Sequence, residues 1–208
     1  MIKSASEIRS AARVALSGHW AEAAMLTFVY CIVAWAFSAL VGGLEYVQQG
    51  LGTVATLLML PLSWGYTVTF LSNARGEDDP FNVSRIFDGY KDFGRIFITI
   101  LLMQVYTFLW TLLFVIPGII KSLSYAMTPF VLRDNPEMKN NEAIELSMKM
   151  MNGHKGDLFW LYLTFIGWGI LCIFTFGIGY FWFAPYVQAS TAQFYEEVKA
   201  EYEQKRER

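Results

Sequence analysis

The sequence predicts an all-α, polytopic membrane protein: six transmembrane helices arranged as three hairpins, each preceded by an amphipathic helix on the cytoplasmic face. Three observations lead there. Charged residues make up only 16 % of the 208 residues, against 55 % apolar and 17 % aromatic. A soluble domain carries about 25 % charge. Residues 23–44, 46–74, 96–120 and 158–195 contain no charge at all, and runs of this length read as bilayer spans. Fifteen of the sixteen basic residues fall in four segments that a hairpin topology places on one side. This pattern excludes a soluble enzyme and makes nucleic-acid binding unexpected. Cys31 and Cys172 lie inside apolar runs, where packing is expected and a disulfide scaffold is not.

Lys3, Arg9 and Arg13 precede the first apolar run, and Ala34-Trp35-Ala36 imitates a signal-peptide cleavage box. The run continues through Val41 and Trp35 fills the box, so the first span is expected to be retained. Block one, 23–74, is interrupted only by Glu45 among Gly42, Gly43, Gly50 and Gly52. Block two, 96–132, is interrupted only by Lys121, and Pro117-Gly118 is its expected turn. Block three, 158–195, has Gly177 and Gly179 near its middle. The second and third blocks are long enough for about 55 Å of helix, nearly twice a hydrocarbon core, so each should fold back. The basic residues then lie in the N-terminal segment, the loops 75–95 and 133–157, and the tail 198–208. Lysine and arginine remain with cytoplasmic loops, which puts both termini inside.

Each hairpin has a short lead with one apolar stripe: Ile8, Ala11, Ala12, Ala15 and Leu16; Val83, Ile86, Phe87 and Tyr90; Ile144, Met148 and Met151. Ser4 and Glu7 form a capping-box pattern at the first. Gly18-His19 and Gly153-His154 close the first and third leads. Pro61, Pro129 and Pro185 mark the second span of each hairpin. One membrane domain over 1–208 is expected, with repeat units of about 4–75, 80–135 and 140–197 around a pseudo-threefold axis along the membrane normal.

Few residues point to chemistry. His19 with Glu22, and His154 with Asp157, are spaced to share a helix face. Together they could bind a divalent metal if the repeats converge, but the middle repeat offers Tyr90 and Phe93 instead. A polar collar with Trp20 and Trp160 as interfacial anchors is the expected role. Lys121 either snorkels to the outer surface or faces an anionic ligand in a cavity, with Glu45 as its charge partner. The three prolines could kink spans at a transport site. Gln104, Thr107 and Thr111, like Gln188, Thr191 and Gln193, suit interhelical hydrogen bonding. Gly167, Gly169 and Gly177 suggest close helix packing, and Glu77-Asp78-Asp79-Pro80 a solvated loop. There is no nucleotide loop, metalloprotease motif or nucleophile–base pattern, and no cofactor is implied.

Phe114-Val115-Ile116-Pro117-Gly118-Ile119-Ile120-Lys121, followed by Tyr125, Met127 and Pro129-Phe130, resembles the central signature of a bacterial integral membrane family, domain of unknown function 975. Asp134-Asn135-Pro136, Gly153-His154-Lys155, Phe165-Ile166-Gly167-Trp168, Pro185-Tyr186 and Phe194-Tyr195-Glu196 fit the same pattern. The resemblance implies a multi-pass protein of the bacterial plasma membrane and carries over no catalytic residue. The expected role is non-enzymatic: an interaction or envelope-associated module. Its partners would be membrane lipids and a protein at the cytoplasmic face. The alternative is a small transporter or lipid-handling protein with a site between the repeats.

Overall fold

The computed structural model describes residues 2–45 and 57–207, and the side chains of 2–39 and 57–207. The chain is all-helical, with no strand among the described residues. Its elements are α1 (Ala5–Leu16), α2 (Trp20–Glu45), α3 (Leu60–Ala74), a 3₁₀ helix (Val83–Tyr90), α4 (Phe93–Leu113), α5 (Val115–Tyr125), α6 (Thr128–Asp134), α7 (Asn141–Met150), α8 (Lys155–Leu163), α9 (Ile166–Phe174) and α10 (Tyr180–Arg206). Among the described residues, four stretches are long and apolar enough to cross a membrane: Trp20–Ala39, Phe93–Leu113, Val115–Asp134 and Lys155–Phe174.

The helices begin where side chains can satisfy their free amides. The Ser4 hydroxyl accepts from the Glu7 amide at 3.4 Å, and the Glu7 carboxylate accepts from the Ser4 amide at 2.8 Å, the reciprocal pair of a capping box. Gly18 and Gly153, with φ of +87° and +93°, turn the chain after the leads α1 and α7. That left-handed conformation favours glycine.

α3 and α10 form the centre. Twelve residues of α3 are buried, from Leu60 to Asn73, and α10 buries Pro185, Tyr186, Ala189 and a stripe down to Val198. Phe70, Phe130 and Phe194, from α3, α6 and α10, are fully buried. By contrast, Phe108, Leu112 and Leu113 of α4, and Ile173 and Phe174 of α9, remain largely exposed. The contacts follow a regular order. α1 packs on α10, the 3₁₀ helix on α3, and α7 on α5 and α6. Likewise α2 packs on α10, α4 on α3, and α8 on α5.

Several local expectations change. The second lead is a 3₁₀ helix, so its buried residues, Ile86 and Gly89, are three apart, and Phe87 and Tyr90 point outward. The turn of block two is Phe114, whose extended backbone separates α4 from α5. Pro117 and Gly118 sit in the first turn of α5, where a proline lacks no needed bond. Pro61 and Pro129 likewise start helices rather than kink them, and only Pro185 lies inside one. Close approaches occur at Gly65, Gly89, Gly118 and Gly179, not at Gly167 or Gly169. Gly177, with φ +84°, makes the turn expected of block three. The expected turn of block one, between Gly42 and Gly52, lies mostly outside the described residues. α10 runs through residue 197 unbroken to Arg206, so the charged tail is helical.

Candidate functional site

The ends of α3 and α6 meet the C-terminal half of α10 in an ion network that defines the charged end of the bundle. Arg75, which caps α3, grips Asp134 of α6 with two parallel hydrogen bonds of 2.8 and 2.7 Å. Its Nε donates to Glu196 of α10 at 2.9 Å. Asp134 also accepts from the Tyr195 hydroxyl at 2.8 Å and from Lys199 at 2.7 Å. The Asp134 side chain is only 9 % exposed, so its charge depends on these partners. The neighbouring Arg75 guanidinium is held protonated more firmly than usual, chiefly by its hydrogen bonds to Asp134, although partial burial opposes this.

A second knot surrounds Glu77. Arg133 reaches it at 2.6 Å and also donates to the Val68 carbonyl at 2.8 Å. Arg85 reaches Glu77 at 3.1 Å and the Ser72 hydroxyl at 2.7 Å. Burial alone would raise the Glu77 carboxyl, but the Arg85 hydrogen bond and the Arg133 charge prevail and hold it below the usual range.

These networks flank a bowl of about 1000 Å³ between α1, the end of α3 and the loop after it. Asp78 and Asp79 lie in its wall with Glu7, Glu77, Lys3 and His19. Asp79 accepts from the Asn82 amide at 2.7 Å. A second concavity, about 420 Å³, is an apolar groove where α9 and α10 face Trp20, with Arg13 at its edge. A third, about 440 Å³, lies between α4 and the α5–α6 segment, beside Gln104, Thr107, Thr111 and Tyr125. Thr107 and Thr111 donate to carbonyls within their own helix, at 2.8 Å each.

The expected site residues are dispersed. His19 pairs with Glu22 at 2.6 Å beside the bowl. His154 meets Asp157 at 3.4 Å and Glu201 of α10 at 3.3 Å. A hydrogen bond from Lys205 holds Glu201 down to about 2. The two histidine pairs do not converge, and no group of three metal-binding side chains occurs among the described residues. Lys121 lies over the Trp110 ring, 4.9 Å from its centroid, a cation–π contact. Glu45 ends α2, but its side chain, and with it the Lys121 pairing, lies outside the described residues. Lys121 is in the wall of neither groove nor of the bowl.

The Arg75–Asp134–Lys199 network escaped the reading of the sequence. Arg75 and Lys199 lie 59 and 65 residues from Asp134, and charges counted by side do not reveal their partners. The available signals were that Arg75 and Lys199 each stand near the charged end of a proposed second span, and that Asp134 and Tyr195-Glu196 lie in stretches that fit the family pattern.

Comparison with curated proteins and with solved structures finds no match to this chain. A family model does match, in two overlapping stretches, residues 1–122 and 111–202. The all-helical fold and its apolar spans suit a membrane protein, and the chain belongs to the family described as Protein of unknown function (DUF975).

Proposed function

We propose that the chain crosses the bacterial cytoplasmic membrane six times, as three hairpins, and acts there as a non-enzymatic interaction module. The basic residues support the topology, since hairpins gather them on one side. The contact order supports the pseudo-threefold repeat. Each lead and each first span packs on the second span of the preceding unit, and the third unit closes back on the first. α3 is buried along most of its length, and α10 buries a stripe from Pro185 to Val198. That stripe includes Ser190 and Thr191, whose hydroxyls donate to carbonyls one turn back.

The observation that carries the role is the contrast between a closed interior and an open charged end. Phe70, Phe130 and Phe194 fill the centre, the Asp134 network seals one end, and the bowl opens beside it. Asp78 and Asp79 give the bowl an acidic lip that suits a basic segment of a cytoplasmic partner. A photo-cross-linking residue at Ser10 should yield a discrete protein adduct in living cells. Asp78→Lys with Asp79→Lys should abolish it. Absence of an adduct from Ser10 would contradict this role. A second reading, lipid handling, is favoured by the apolar groove with arginine at its edge.

A further inference from the structure

The groove between α9, α10 and Trp20 differs from an ordinary lipid-facing surface in its electrostatics. Its walls are almost wholly apolar: Trp168 and Leu171 from α9, Trp182 and Phe183 from α10, and Trp20 from α2. Trp168 to Thr175 and Gly179 to Tyr186 each span two helical turns, about 10 Å. A single leaflet of hydrocarbon is about 15 Å deep, so the groove can hold much of one acyl chain.

Among the described residues, Arg13 is the one cation in the wall. Its Nε donates to the Tyr186 hydroxyl at 3.1 Å, and the guanidinium carbon lies 5.8 Å from the Tyr186 ring centroid. The side chain is therefore aimed, with its two terminal amino groups left over. Arg9 is one turn earlier on α1. Its carbonyl accepts from the same Tyr186 hydroxyl at 3.4 Å, and its Nε is buried without a hydrogen-bond partner. Among the described residues neither arginine has a carboxylate within ion-pair distance. A buried guanidinium nitrogen without an acceptor is costly, and a phosphate oxygen is the acceptor that guanidinium geometry matches best.

We infer that this groove holds an anionic glycerophospholipid of the inner leaflet, one acyl chain along Trp168, Leu171 and Trp182 and its phosphate on Arg13, with Arg9 one turn away adding to the positive field. The inference rests on the lipid-handling reading and names where and by which group the lipid is held. The tryptophans give the chain rigid apolar walls, and two arginines near the headgroup favour one without an ammonium group, whose net charge is negative.

The test uses the full chain in nanodiscs of phosphatidylglycerol and excess phosphatidylethanolamine, with retained lipid counted by native mass spectrometry. The wild type should keep one phosphatidylglycerol through detergent exchange. Arg9→Gln with Arg13→Gln should lower that retention about tenfold, the loss expected when charge-assisted bonds are removed. Leu171→Trp, at an exposed wall position, should abolish retention with both arginines intact; Cys172→Trp serves if that variant does not fold. Unchanged retention in the arginine and groove variants overturns the assignment to this groove. Retention of no lipid by the wild type overturns the lipid-handling reading itself.

Discussion

At the scale of single residues, Asp134 bears the greatest structural demand. It joins α6 to the end of α3 through Arg75 and to α10 through Tyr195 and Lys199. Removing one partner from a buried charge network costs about 3–5 kcal/mol. Asp134→Ala should therefore destabilise the protein by about 3 kcal/mol, measured by unfolding in detergent micelles, and should leave Arg75 only Glu196. Lys121→Met is the contrast: it removes a cation–π contact worth about 1 kcal/mol and should scarcely move the midpoint. Glu77 sets a pH dependence. Its carboxyl is depressed on folding, so its stabilisation is fully present above the ordinary value of 4.5 and is lost as pH falls through the lower folded value. Midpoints should be flat in neutral buffer and fall below pH 4.5, and Glu77→Gln should weaken that fall. Local chemistry was readable in the sequence at this scale: the Ser4–Glu7 cap and the glycines before His19 and His154 appear where their neighbours require them. The partners of Asp134 were not, because they come from two distant elements.

At the scale of elements, the 3₁₀ helix and α3 approach through glycine. A Cβ at Gly65 would lie 2.1 Å from the Ile86 carbonyl oxygen, and one at Gly89 would lie 2.2 Å from the Pro61 carbonyl oxygen. Backbone cannot yield as a side-chain tip can, so Gly65→Ala or Gly89→Ala should cost about 1–3 kcal/mol. Gly167→Ala, with nothing within 4 Å of the new methyl, should be neutral or slightly stabilising, since alanine favours helix. Denaturant midpoints of the three variants check the ranking. Apolar length located α2, α4, the α5–α6 segment and the α8–α9 segment correctly. It could not place the break within a block, because a turn needs one residue of extended backbone, which Phe114 supplies without glycine or proline. Nor could an apolar stripe distinguish a 3₁₀ lead from an α-helical one over eight residues.

At the scale of the whole molecule, most of the exposed large apolar side chains lie on α2, α4, α5, α8 and α9 and around the tip where α9 meets α10, and the ion networks lie at the ends of α3 and α6 and in the C-terminal half of α10. Charge distribution made this polarity legible before any coordinate. The cyclic packing was only partly legible, since the pairing of α3 and α10 with the other elements rests on contacts between residues far apart in the sequence. The proposed topology hangs three hairpins from one charged face on the cytoplasmic side. Single cysteines at Asn140 and at Phe176, in a background with Cys31 and Cys172 replaced by serine, test it in intact cells with a membrane-impermeant thiol reagent. Asn140, in the loop before α7, should be protected until the membrane is opened, whereas Phe176, 99 % exposed at the tip between α9 and α10, should be labelled from outside; labelling of the Asn140 position in intact cells, or protection of the Phe176 position, would contradict the arrangement.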